Sequence, residues 1–97
     1  MNLNLNYEGF EDYLVERHRS VYGDGVGYKF KFKNDYGASV MKHQHSYGSD
    51  EDLWELGVIR WRDDEWELNY DTPITSDVIG YLTDEDVRNL LQRIKDL

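Results

Sequence analysis

Hydrophobic and polar residues alternate through the segment 26–33. Its even-numbered positions carry Val26 and three aromatic residues, whereas its odd-numbered positions from 29 onward are lysines. Because the side chains of a strand point alternately to opposite faces, this pattern predicts a half-buried strand. The turn-like composition of residues 34–37 predicts a hairpin that leads into a second strand over about residues 38–45.

The segment 54–71 predicts a second hairpin. A two-residue turn at Asp63-Asp64 would place four pairs of side chains opposite one another. These pairs are Arg62–Glu65, Trp61–Trp66, Arg60–Glu67 and Ile59–Leu68. The charged pairs would lie on one face and the apolar pairs on the other, each contributing about 0.2–1 kcal/mol. The apolar positions 54, 56 and 58 have the opposite parity, and a bulge at Gly57 would bring both apolar sets to one face.

Two segments have helical periodicity. Apolar residues at positions 10, 13, 14 and 21 predict a first helix from about Tyr7 to Val21, with acidic residues near its start and basic residues near its end. A second helix is predicted to begin after Thr83, which can form a capping box with Asp86. The apolar stripe of this helix consists of Val87, Leu90, Leu91, Ile94 and Leu97.

These elements predict one α+β domain over residues 1–97. We expect an antiparallel sheet of about four strands in a meander, with an N-terminal and a C-terminal helix packed on one face. A sheet of this size often leaves its other face in water. The residues expected on that other face are Lys29, Lys31, Lys33, Arg60, Arg62, Glu65 and Glu67.

The composition bears on the compartment. The chain has no cysteine, which excludes disulfides and thiolate metal sites and fits a reducing environment. Its N-terminus lacks the pattern of a signal peptide, and no apolar run approaches the ~20 residues of a membrane helix. We therefore expect a cytoplasmic protein without membrane contact.

The net charge of −9 arises entirely in the second half of the chain. Residues 1–49 are neutral in sum, whereas residues 50–97 carry five basic and fourteen acidic side chains. Such a field repels nucleic-acid phosphates and favours a basic protein partner. The candidate binding residues are Asp50, Glu51, Asp52, Asp63, Asp64 and Glu65. The alternative is that these carboxylates are the solvated groups of a loop and a turn.

His43 and His45 are candidate metal ligands. Two residues apart on a strand, they would face the same way and could bind Zn, Fe or Mn together with a carboxylate from elsewhere. The alternative is a polar strand end followed by an ordinary loop. We therefore expect no cofactor, and a metal-binding module or metal-dependent enzyme remains an alternative hypothesis.

No other motif indicates catalysis or nucleic-acid binding. There is no cysteine nucleophile and no serine in a G-x-S-x-G context. The aromatic residues of the segment 26–33 face away from its lysines, which argues against base stacking beside basic groups. We therefore expect neither enzymatic activity nor direct contact with nucleic acid.

Five pieces of the chain within residues 36–97 resemble short proteins encoded by bacteriophages and prophages. They are GASV, HQHSYG, LWEL, YDTPITSDVIGYLT and DVRNLLQRIKDL. The resemblance implies a phage accessory protein and implies no catalytic residues. We predict a small acidic accessory protein that acts by binding another protein, and a sharper version is an inhibitor of a basic nucleic-acid-handling protein. A self-associating or virion-related structural role is the remaining alternative, and the sequence does not set the oligomeric state.

Overall fold

The computed structural model of the chain describes residues 4–19, 25–42, 52–75 and 77–97. Its elements are a 3-10 turn (Glu11–Tyr13), strands β1 (Leu14–Arg19), β2 (Val26–Lys31), β3 (Tyr36–Lys42), β4 (Trp54–Arg62), β5 (Glu65–Leu68) and β6 (Ile79–Leu82), and helix α1 (Asp84–Lys95). The six strands form one antiparallel sheet. Strands β1 to β5 follow one another as a meander, and β6 returns to pair with β4.

Strands β5 and β6 occupy the same edge of β4, one after the other. Leu68 in β5 pairs with Ile59, whereas Ile79 in β6 pairs with Leu56. The chain leaves this edge after Asn69 and returns to it at Ile79, and a register shift within β6 accommodates the return. Because β3 pairs with the opposite edge, β4 is hydrogen-bonded to three strands of the sheet.

One face of the sheet carries the main hydrophobic core, called the core face below. Alternate residues of β2, β3 and β4 point to it, and α1 covers them with Val87, Leu91 and Ile94, all fully buried. The predicted C-terminal helix is confirmed, including the capping box between Thr83 and Asp86.

The N-terminal segment 4–13 covers the rest of the core face. Leu5 and Phe10 are buried there, and the Tyr7 ring packs against the Phe30 ring with 5.8 Å between centroids. A hydrogen bond of 2.9 Å from Arg88 to the carbonyl oxygen of Asn6 joins the segment to α1. The segment therefore takes the place that the prediction gave to an N-terminal helix.

The opposite face of the sheet, called the second face below, carries a smaller apolar cluster. Ile59 and Trp61 are buried there and pair with Leu68 and Trp66 across the β4–β5 hairpin. The Trp61 indole donates its Nε1–H to the carbonyl oxygen of Phe30 at 2.9 Å. The predicted register of this hairpin is confirmed in all four pairs.

The predicted bulge at Gly57 is wrong. Strands β3 and β4 pair in one continuous register through this residue, so Leu56 and Ile59 point to opposite faces. Each parity of β4 therefore serves its own apolar cluster. As a further correction, the arginines of β4 lie on the side of the core face and not beside the lysines of β2.

The predicted helix from Tyr7 to Val21 is also wrong. The chain makes a 3-10 turn after Gly9, whose φ is 93°, and then enters β1. The physical reason lies in β2, which is buried along most of its length and whose backbone groups need partners on both edges. Strand β1 supplies them on one edge and β3 on the other. Val21 itself lies outside the described residues.

The predicted α+β arrangement of about four strands and two helices is thus corrected to a curled sheet of six strands with one helix. The sequence predicted no strand between the second hairpin and the C-terminal helix, whereas Ile79–Leu82 forms β6. This strand is short and its sequence contains glycine, so local propensity does not indicate it. Pairing with the edge of β4 that β5 leaves uncovered explains it instead.

We predict that Gly37→Ala lowers the free energy of unfolding by about 1–3 kcal/mol. A Cβ at this position would overlap the carbonyl oxygen of Phe30 and lie 2.7 Å from Nε1 of Trp61. Both groups are fixed by their mutual hydrogen bond, so neither can move away cheaply. Urea denaturation measures the loss, and Ser39→Ala on the same strand and face is the control. Equal losses in the two variants would contradict the steric argument.

Candidate functional site

Strand β5 exposes large apolar side chains at the margin of the sheet. Trp66 is 43% exposed, Leu68 is 46% exposed, and Tyr70 just after the strand is 40% exposed. Aromatic residues are enriched where proteins bind one another, because they supply a large contact area at low entropic cost. We call these three residues the β5 strip.

The backbone of β5 also presents hydrogen-bonding groups to the outside. Asn69 donates its backbone N–H to the carbonyl oxygen of Val58 at 2.9 Å. Hydrogen-bonded and non-bonded pairs alternate along an antiparallel ladder, so Glu65 and Glu67 also direct their backbone groups to β4. The backbone groups of Trp66 and Leu68 therefore point outward, where no described strand pairs with them.

Acidic residues are frequent in the sequence around the β5 strip. Residues 60–71 contain five carboxylates and two arginines. The described carboxylates of this set are all exposed, and they belong to Asp63, Asp64, Glu65, Glu67 and Asp71. A weak ion pair of 3.6 Å joins Glu67 to Arg62, with both side chains largely in water. The strip is consequently an apolar surface with an acidic margin.

A small cavity of about 150 Å³ lies on the second face behind the β5 strip. Gly57 forms part of its lining, together with Met41, Trp66, Leu68 and Val78. Ligand pockets usually measure roughly 300–1,000 Å³, so this cavity has the size of a slot for one side chain.

A buried lysine holds the Trp66 ring in place. The ammonium group of Lys29 lies 4.8 Å from the centre of this ring and 3.6 Å from the carboxylate of Glu16. It also donates to Nε2 of His18 at 2.9 Å. The other ring nitrogen of His18, Nδ1, lies 3.0 Å from the carbonyl oxygen of Arg19. The contact between Lys29 and Trp66 joins β2 to β5. These two strands are not neighbours in the sheet, so the contact shows that the sheet is curled.

The structure separates the acidic residues that the sequence grouped together. Asp52 lies just before β4 and Asp63 just after it, so about 25 Å of strand divides them. Asp52 accepts a 3.0 Å hydrogen bond and ion pair from the buried Lys42. The turn residues Asp63, Asp64 and Glu65 are exposed beside the β5 strip. Asp50 and Glu51 lie outside the described residues.

The metal hypothesis stays a prediction, because His43 and His45 lie outside the described residues. Among the described residues, no three His, Cys, Asp or Glu side chains are grouped to hold an ion. Both ring nitrogens of His18 have protein partners, as described above.

Tyr81 is a feature that the sequence did not indicate. It lies in β6 with φ of 60° and is 59% exposed. A left-handed backbone is rare for a bulky residue, and such strain is found most often where a side chain has a function. Tyr81 lies where the register between β4 and β6 shifts.

We predict that Asp52→Asn lowers the free energy of unfolding by about 1 kcal/mol or more, because it removes the ion pair with the buried Lys42. Asp64→Asn is the matched control, since it removes the same charge from an exposed turn and should change stability by less than about 0.5 kcal/mol. Chemical denaturation of both variants at one salt concentration measures the difference. A smaller loss at Asp52 than at Asp64 would contradict the structural role of the ion pair.

We predict that Tyr81→Gly raises the free energy of unfolding by up to about 1 kcal/mol. The left-handed conformation costs a residue with a Cβ about 1–2 kcal/mol. The larger conformational entropy of glycine in the unfolded chain offsets part of the gain from removing this cost. Tyr81→Ala keeps the Cβ and is the control, for which we expect no gain. Equal gains would place the strain in the ring contacts and not in the backbone.

No helix in the described part of the chain is long and apolar enough to cross a membrane. Comparison of the whole chain with family models, with curated proteins and with solved structures finds no match.

Proposed function

We propose that this chain is a non-catalytic binding protein that engages a basic protein through the apolar β5 strip and its acidic margin. The observation that carries the proposal is the β5 strip, in which Trp66 and Leu68 remain exposed although their partners Trp61 and Ile59 are buried. A surface of this kind suits an interface whose apolar centre is bounded by polar groups.

The charge of the margin defines the partner. The turn Asp63-Asp64 and the glutamates of β5 lie within a few residues of the strip. Carboxylates beside an apolar contact attract a basic partner at long range and select it at short range. In the phage setting that the sequence resemblance implies, a basic nucleic-acid-handling protein of the host cytoplasm fits this description.

Self-association is a second candidate function, and the edge strand at the other end of the sheet, β1, favours it. Strand β1 pairs only with β2 among the described strands, and it carries Arg17 and Arg19 exposed on the side of the core face. The glutamates of β5 lie on that same side of the sheet. Pairing of β1 of one copy with β5 of another would therefore bring opposite charges together.

A capture experiment with matched variants tests the binding of a basic partner. We expect wild-type protein to retain a basic protein from bacterial lysate at low salt and to lose it at high salt. The double variant Asp64→Asn/Glu65→Gln should capture at least tenfold less of this basic protein than the wild type does, as measured by quantitative mass spectrometry. Glu8→Gln/Asp12→Asn removes the same charge from exposed residues of the N-terminal segment and should retain it. If both double variants lost the same amount of captured protein, net charge alone would explain the effect, and a binding site at β5 would be contradicted.

A further inference from the structure

We propose that the partner binds as an added β-strand along the outer edge of β5, through an extended segment in which basic and apolar residues alternate. This inference rests on the proposed function and specifies the chemistry of the segment that is bound. It follows from the backbone of β5, from its side chains and from its charge.

The backbone supplies the hydrogen bonds. The N–H and C=O groups of Trp66 and of Leu68 point away from β4, as the ladder geometry requires. An extended segment laid along this edge would satisfy all four groups. Strand addition of this kind obtains affinity from main-chain hydrogen bonds and specificity from alternate side chains.

The side chains of β5 require alternation in the segment. Glu65 and Glu67 lie on one side of the sheet, opposite Arg62 and Arg60, whereas Trp66 and Leu68 lie on the other. Residues of an added strand stand beside β5 residues of the same side. Basic residues would therefore stand beside the glutamates, and apolar residues beside the β5 strip.

The same charges explain why β5 does not select its own copy. Two β5 strands side by side would bring the Glu65 and Glu67 side chains of both copies together, and like charges directly opposite destabilise a sheet. The short, acidic edge thus disfavours pairing with itself and remains open to a basic strand. Pairing with β1 of a second copy would engage only the four residues of β5. A flexible segment of another protein can in addition reach Tyr70 and the acidic turn.

Two synthetic peptides of identical composition test the alternation. The probe is the blocked octapeptide (Lys-Val)4, and its control is Lys4Val4, which has the same charge without alternation. We expect (Lys-Val)4 to bind at least tenfold more tightly by isothermal titration calorimetry. Equal affinities would overturn strand addition but leave the proposed binding of basic partners intact. No binding of either peptide would overturn both.

Hydrogen exchange of individual backbone amides tests the proposed hydrogen bonds directly in the wild-type protein. We expect the amides of Trp66 and Leu68 to exchange rapidly in the free protein and to slow at least tenfold with (Lys-Val)4. The amides of Glu65 and Glu67 bond to β4 and should be protected in both states. Unchanged exchange at Trp66 and Leu68 in the complex would overturn the proposal. Slow exchange of these two amides in the free protein, with a mass above that of one chain, would replace it by self-association.

Methylation of the peptide nitrogens provides the last test. In antiparallel addition the residues opposite Trp66 and Leu68 bond to β5, and these are the valines; in parallel addition the lysine nitrogens bond instead. N-methylation of one residue type should therefore abolish binding, and N-methylation of the other should be tolerated. Leu68→Pro removes one outward N–H without touching the β4 ladder and should bind (Lys-Val)4 at least tenfold more weakly than Leu68→Ala. Tolerance of both methylations would overturn the proposal.

Discussion

The uninterrupted pairing of β4 through Gly57 determines how the rest of the molecule is arranged. A continuous strand sends neighbouring residues to opposite faces, and β4 carries buried apolar residues of both parities. Each face must therefore be covered. The helix and the N-terminal segment cover the core face. The second face depends on β5, the hairpin partner of β4, whose Trp66 ring contacts the ammonium group of Lys29.

The backbone of β2 imposes a second constraint, and it marks the limit of reasoning from local pattern. The helical spacing of Phe10, Tyr13 and Leu14 is present in the sequence, but an interior strand needs hydrogen-bond partners on both edges. Only the assembled sheet reveals that residues 14–19 supply them. By contrast, the β4–β5 register and the cap of α1 depend on residues close together in the chain, and both were predictable.

Some residues of the candidate site were likewise predictable from the local sequence, and others were not. The acidic turn Asp63-Asp64 could be identified from composition, because the hairpin that carries it is local. The role of Asp52 could not, since its partner Lys42 comes from another strand and is buried by the fold. The strained Tyr81 was also beyond prediction, because it lies where the register between β4 and β6 shifts.

The position of the β5 strip follows from these constraints. Helix α1 and the N-terminal segment cover the core face, whereas the second face is closed by the strands themselves, and this closure ends at β5. The outermost residues of that cluster, Trp66 and Leu68, must then contact both the protein and the surroundings. Replacing them with polar residues would weaken the cover over Ile59 and Trp61, whereas leaving them unguarded would invite pairing between copies. In the proposed function the alternating glutamates resolve this conflict, because they would repel an identical edge and favour a basic strand along the strip.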